Sequence, residues 1–278
     1  MYFIETNIFD INSFKNFKEL IKLLLHALEE KIIDFIQNSE QNFVEELGMM
    51  QIWDQPLIGV ASASDPLWEK LKEPDVVGPH HLTPDEWLPG AKSVISFFLP
   101  YTEHILSSNR SKGLPSKEWL YGRYEGEMFN NILRRLIVDI VESAGENALA
   151  PALDKRFEVD NHVSNWSERH AAFIAGLGTF SLNHSLITNL GTAGRFGSVI
   201  VNLEFEPKPR PYQEVDEYCT KCGECIDRCP PLAINKHGKD AESCSQFLNK
   251  TLKLNKPRYG CGKCQTAVPC EYRNPKLI

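Results

Sequence analysis

The stretch CTKCGECIDRCPP, residues 219–231, places four thiols within eleven positions of a chain whose first 218 residues contain no cysteine. Thiolate sulfur ligates soft metals and attacks electrophiles, so eight cysteines gathered into the last 60 of 278 residues mark where the chemistry lies. Cys219, Cys222, Cys225 and Cys229 fit CxxCxxCxxxCP, in which three closely spaced thiolates take three corners of a [4Fe-4S] cube and the fourth, ahead of proline, reaches a second cube. That exchange assigns Cys219, Cys222, Cys225 and Cys270 to one cluster and Cys229, Cys244, Cys261 and Cys264 to the other. Two tetrahedral zinc sites are the competing use of eight thiolates, although structural zinc favours paired CxxC knuckles. The second half of the array is irregular, with Cys270 six residues after Cys264, so the spacing specifies two clusters more firmly than it specifies their pairing. Gly223, Gly260 and Gly262 stand beside ligands, where a missing Cβ lets backbone amides approach cluster sulfur.

The remainder of the chain must hold these groups in place. Its 42% hydrophobic and 24% charged residues are an ordinary globular composition, and its length suffices for one large domain with a small appendage. No basic and then apolar leader opens the sequence, and the most apolar early segment, residues 20–36, is interrupted by Lys22, His26, Glu29, Glu30, Lys31 and Asp34. Neither export nor a membrane span is expected; a cytoplasmic setting would keep the thiols free of disulfides. The formal charge of −7 is uneven: residues 219–278 carry 11 Lys and Arg against 5 Asp and Glu, or +6, leaving 19 against 32, or −13, for residues 1–218. A basic tail is often a nucleic-acid signal, but two clusters of about two net negative charges each give those cations another partner.

Periodicity supplies the elements. Leu20, Leu24, Leu28 and Ile32 line one face of an amphipathic helix that Asn12 or Ser13 can cap, and Phe129, Leu133, Leu136, Ile137, Ile140 and Val141 line a second, from Tyr124 to Ala144. A third runs from the N-cap Ser167 toward Gly176 or Gly178. PLIGVASAS, LPGAKSVISFFLPY and RFGSVIVNLEF read as strands, the last as a central one. Strands alternating with helices give an α/β or α+β class. Pro207, Pro209 and Pro211 stiffen a connector before the first cysteine, which sets the expected divisions at residues 1–40, 41–210 and 211–278.

The order of LPGAKSVISFFLPY, YGRYEGEMFNNILRRL, VDNHVSNWSERHAAFIAGLG, SLITNLGTAGRFGSVIVNLEF and the cysteine array resembles the epoxyqueuosine reductase family, over about residues 40–275. Glu168-Arg169, Ala175-Gly176-Leu177-Gly178, Leu186-Ile187 and Gly191-Thr192 carry most of the likeness. The arrangement is more distantly similar to corrinoid reductive dehalogenases. The resemblance implies a nitroreductase-like α/β domain holding a base-off cobalamin, followed by a small ferredoxin-like domain that passes electrons to cobalt. A strongly reducing cobalt centre needs a low-potential donor within electron-transfer reach, which two clusters would provide. The donor to the clusters would be a ferredoxin or flavodoxin.

In that family an aspartate in a V-D-S-x-P run shortly before E-R is thought to donate a proton. Asp160 keeps the Val-Asp step here, whereas alignment back from Glu168-Arg169 puts His162 in that place. Either side chain can act as the acid, and the structural alternative is that Asp160 caps a turn. No DxHxxG motif is present to make His162 or His184 a lower cobalt ligand. Tyr121, Arg123 and Tyr124 match the family's entry to the long helix. Arg195 would meet a phosphate or carboxylate of a nucleotide tail, or else form an ion pair. Gly176, Gly178, Gly191 and Gly194 would let a bulky ring lie against backbone, or serve as turns. Family members that act on tRNA often carry a helical region after the clusters, which the residues beyond Cys270 do not supply, and a body at −13 repels a polyanion. The expected substrate is therefore a small molecule or a partner corrinoid protein, with nucleic acid disfavoured. A second reading is a non-catalytic electron carrier or reductive activator of a partner's corrinoid or flavin, and a third puts a flavin in the pocket.

Overall fold

A computed structural model describes residues 17–277. Its main sheet is four antiparallel strands in the order Leu57–Ser62, Ser93–Pro100, Gly194–Val201 and Ala148–Leu149. Every residue of Ser93–Pro100 is buried, because both faces of the sheet are covered. Side chains alternate along a strand, so Ile95, Phe97 and Leu99 enter one core with the helices Phe17–Asn38 and Lys117–Ser143, while Val94 faces the opposite core with Trp68, Trp87, Trp166, Ala171 and Ile174. The mixed α/β class expected from the sequence is the class observed.

The N-terminal helix lays Ile21, Leu28, Ile32 and Ile36 against its own chain, and Phe35 stacks on Phe129 with ring centroids 5.4 Å apart. Its expected caps, Asn12 and Ser13, and the side chain of Leu20 lie outside the described residues. The long helix begins at Lys117, seven residues before the expected Tyr124, with the Ser116 hydroxyl accepting from the Trp119 amide at 3.1 Å. Gly122 conceals those first turns in the sequence, since glycine is a poor helix former, and Gly126 follows one turn later inside the expected helix. Packing requires them: a Cβ would stand 2.8 Å from Ile105 Cδ1 at Gly122 and 2.5 Å from Trp53 Cζ2 at Gly126. The added turns carry Trp119 and Arg123 toward the cysteines.

After the proline-rich connector the chain winds mostly as loop, with the short helix Glu224–Asp227, the ribbon Ile234–Asn235 with Gly238–Lys239, and the helix Ala241–Asn255 capped by Asp240. Its apolar clusters are small, one around Tyr212 and Tyr218 and one around Cys229, Ala233 and Ile234. Polar contacts fasten it to the larger lobe instead. Lys263, fully buried, donates to the backbone and side-chain oxygens of Asn109 at 3.0 and 2.9 Å. Arg110 reaches Glu271 at 3.1 and 3.2 Å, Asn183 donates to the Cys264 carbonyl at 2.6 Å, and the Thr192 amide donates to the Cys270 carbonyl at 2.9 Å. Among the described residues no helix is long and apolar enough to cross a membrane.

Candidate active site

All eight thiols are free, and they gather as two quartets. Burial and then the neighbouring Cys219 and Cys222 raise Cys225 to about 11, and burial with Cys219, Cys225 and Cys222 raises Cys270 to about 12. On the other side, burial with Cys244 and Cys229 raises Cys261 to about 11, and burial raises Cys264 to about 12 against the downward pull of Lys239, with Cys261, Cys244 and Cys229 adding to the rise. These neighbours fall into the two groups that the exchanged spacing assigns. Local backbone explains how: Lys221 and Gly223 take left-handed conformations at φ 54° and 85°, which curls the Cys219–Cys225 loop, and Gly262 does the same at φ 65° between Cys261 and Cys264.

Among the described residues no three His, Cys, Asp or Glu side chains converge tightly enough for one metal ion. The preference for a cube over a tetrahedral zinc site with bonds of about 2.3 Å rests on the CxxCxxCxxxCP spacing. A thiol raised this far is neutral at pH 7, so filling either quartet must expel protons as thiolate ligands form.

Cys229, Cys244, Cys261 and Cys264 line a cleft with about 320 Å³ of internal space, whose opposite wall is Tyr101, Trp119, Arg123, Arg169, Gly194 and Arg195 of the larger lobe. We call this quartet the inner one. The outer quartet lines a separate, smaller cavity with Leu182 and Ile187. The indole N–H of Trp119, on the cleft wall, is buried without a protein partner. Gly260 and Gly262 let that ring lie against the ligand loop, for a Cβ on Gly262 would fall 1.9 Å from its Cζ2.

Charge in the cleft is governed by a buried network. Arg195 Nε donates to Glu127 at 2.8 Å, and Glu127 also accepts from Arg134, itself 2% exposed, at 3.0 Å. Burial pushes the Glu127 carboxyl upward, but Arg195 and Arg134 together hold it at about 2. Arg134 also donates to Glu168 at 3.0 Å, and the Glu168 carboxyl accepts from Ser198 at 2.5 Å; burial outweighs these partners and raises Glu168. Arg123 stacks 4.3 Å from the centroid of Tyr259 and donates to its hydroxyl at 2.9 Å. Arg169 is exposed and lines the cleft, and it donates to the His184 carbonyl.

The residues singled out in the sequence are distributed unequally about this cleft. Arg123 and Arg195 line it, but Arg195 is already paired with Glu127. Gly176, Gly178 and Gly191 face protein: Gly176 turns the chain after its helix at φ 80°, while a Cβ would lie 2.0 Å from the Ile187 carbonyl at Gly178 and 2.4 Å from the Glu271 carbonyl at Gly191. They are packing and turn glycines. Asp160 and His162 sit on an exposed hairpin, Val159–Asp160 with Val163–Ser164, whose turn residues Asn161 and His162 have φ of 45° and 67°. Neither lines the cleft; His162 Nε2 lies 3.0 Å from Glu242 Oε2, on the helix whose Cys244, Phe247 and Leu248 do. Arg169, Trp119, Lys239 and the Lys263–Asn109 contact received no role from the sequence. The Glu168-Arg169 step and the lysine inside CGKC were the signals available.

No protein-family model matches the chain. It is 28% identical to the epoxyqueuosine reductase of Bacillus subtilis over 214 residues, 72% of this chain and 52% of that one, and 28% identical to that of Bacillus cereus over 249 residues, 85% and 60%. The chain thus spans little more than half the length of these relatives. Among solved structures, an epoxyqueuosine reductase with a tRNA-Tyr epoxyqueuosine-modified tRNA stem loop matches at a TM-score of 0.53 and 22% identity, over 91% of this chain and 70% of that one. A catabolic reductive dehalogenase matches at 0.54 and 14%, over 78% and 30%. In sequence the chain resembles the epoxyqueuosine reductase family, and it shares a fold with those enzymes and with reductive dehalogenases.

Proposed function

We propose that this chain is an iron-sulfur oxidoreductase that passes electrons from two [4Fe-4S] clusters to a cobalamin in the cleft, where an organic substrate is reduced. The observation that carries the reading is the shared cleft: four thiols form one wall and the α/β lobe forms the other. When bound, the clusters would supply single electrons and cobalamin a cobalt centre for reduction. The chain's own residues hold and insulate: the inner thiols become ligands, the Lys263–Asn109 contact pins the ligand loop to the lobe, and the Glu127 network fixes the position of Arg195.

Reduction also consumes protons, for which Asp160 and His162 are the candidates. Both stand outside the cleft, which favours the carrier reading unless the hairpin moves. A Bacillus subtilis epoxyqueuosine reductase has been captured with its catalytic aspartate loop swung out of the active site, and we read the Val159–Ser164 hairpin here in the same way. As for substrate, the −13 of residues 1–218 disfavoured nucleic acid, but the cleft itself is lined by Arg123, Arg169, Arg195 and Lys239. Local charge governs binding at this range, and a relative holds a tRNA stem loop, so a nucleic-acid substrate stands beside a small molecule.

Anaerobically purified protein reconstituted with iron and sulfide, offered hydroxocobalamin and then desalted, tests the proposal. Corrinoid retained near one per chain supports it. Loss of corrinoid from fully loaded protein leaves only electron carriage.

A further inference from the structure

The cleft concentrates positive charge beyond what its contents offset. Arg123, Arg169, Arg195 and Lys239 line it, and no carboxylate is among the lining residues. Glu127 reaches Arg195 from behind, and Arg134, which it also touches, has Glu168 as a second partner. Among the described residues Arg123, Arg169 and Lys239 have no carboxylate within salt-bridge distance. With Glu127 set against Arg195, a cluster in the inner quartet contributing about two negative charges would leave about one of the four cations unbalanced.

Guanidinium groups gathered on one cleft wall without a counter-charge repel one another. Burial and then Arg195 pull down the pKa of both Arg123 and Arg169. Each uses few of its five donors: Arg123 gives one to Tyr259 and Arg169 one to the His184 carbonyl. Forked donors left free beside a cavity suit a planar or tetrahedral oxyanion.

We infer that the cleft binds a phosphate or phosphodiester group through Arg123 and Arg169, with Lys239 at its edge. The inference deepens the proposed function, on which it rests, by naming a charged group that the bound molecule must carry. Two sources share this chemistry: the nucleotide tail of a corrinoid, and a phosphate of the substrate.

Equilibrium dialysis of cluster-loaded protein separates them, using hydroxocobalamin, cobinamide, which keeps the corrin ring but lacks the phosphodiester tail, and inorganic pyrophosphate. Charge-assisted hydrogen bonds are each worth roughly 1.5–3 kcal/mol, so one arginine should matter by about tenfold or more. If the tail is the anion, hydroxocobalamin binds at least about tenfold tighter than cobinamide, and R123Q or R169Q abolishes that margin. If the substrate supplies it, the two corrinoids bind alike, while pyrophosphate binds and is lost in both variants. R169K, which keeps the charge, should retain part of either effect, and unchanged iron content in each variant shows that the fold persists. The inference is overturned if pyrophosphate does not bind and both variants discriminate between corrinoids as the native protein does, whether or not corrinoid is retained. Pyrophosphate binding that depends on the arginines, with neither corrinoid retained, would instead sink the proposed function and leave the anion site standing.

Discussion

Replacing Glu127 by glutamine should reveal how the cleft's charge is held. The carboxyl sits at about 2 because Arg195 and Arg134 flank it, against an ordinary value of 4.5. A carboxylate held that low carries on the order of 3 kcal/mol of folding free energy at neutral pH, trimmed toward about 2 because its side chain is 31% exposed. For a lobe of this size each kcal/mol moves the melting temperature by about 2–4 °C, so E127Q should melt about 4–12 °C lower at pH 7. The sign with pH follows from a depressed folded-state pKa: the stabilisation is complete above about 4.5, where the unfolded carboxyl is ionised, and disappears as pH falls toward 2. The gap between native protein and variant should narrow to less than about half by pH 3. Melts followed by far-ultraviolet circular dichroism at pH 7, 5, 4 and 3 make the comparison. Removing this charge also frees Arg195, so E127Q should bind pyrophosphate more tightly even as it loses stability. A variant melting within about 1 °C of native protein at pH 7, or a gap that widens in acid, would refute the reasoning.

Further expectations follow from the same geometry. Cys225→Ser and Cys229→Ser each break one quartet, so each should lose roughly half of the iron, with Cys229→Ser alone changing the environment of the cleft; elemental analysis with electron paramagnetic resonance checks both. Gly262→Ala places a Cβ 1.9 Å from the Trp119 ring at a backbone φ of 65°, and should disorder the inner ligand loop, with iron loss resembling that of Cys229→Ser. If the hairpin delivers the proton, Asp160→Asn or His162→Gln should slow turnover by roughly 10²–10⁴-fold while corrinoid binding and iron content stay unchanged. Equal turnover in both variants would remove the hairpin from the chemistry.

The two-cluster pattern was legible because ligand spacing is a local property, whereas the assignment of Cys244 and Cys270 extrapolates across an irregular second half; Cys229, Cys244, Cys261 and Cys264 line one cavity and Cys219, Cys222, Cys225 and Cys270 the other. The three principal strands were equally legible from β-branched and aromatic runs. Where long-range packing decides, the signal failed. Gly122 stands in the first turns that the expected start at Tyr124 left out, where the close approach of Ile105 requires it. Gly178 and Gly191 looked like room for a ring and prove to be close backbone approaches. Net charge sums over a surface and leaves no trace of the cleft, which gathers Arg123, Arg169 and Arg195 from positions far apart in the chain. Arg195 was left between an anion and an ion pair; the ion pair is the one observed, and its partner Glu127, 68 positions away, leaves no mark in the pattern.

The account stands or falls on whether electrons cross the shared cleft. Cluster-loaded protein reduced stoichiometrically, freed of reductant and mixed rapidly with hydroxocobalamin gives the direct test, followed in the cluster and corrinoid absorption bands. The account predicts that cluster reoxidation and corrinoid reduction proceed together, first order and independent of protein concentration once the complex has formed, and that Cys229→Ser abolishes the step while its outer cluster stays reduced. A rate that rises in proportion to protein concentration without saturation, and is the same in Cys229→Ser, would contradict it.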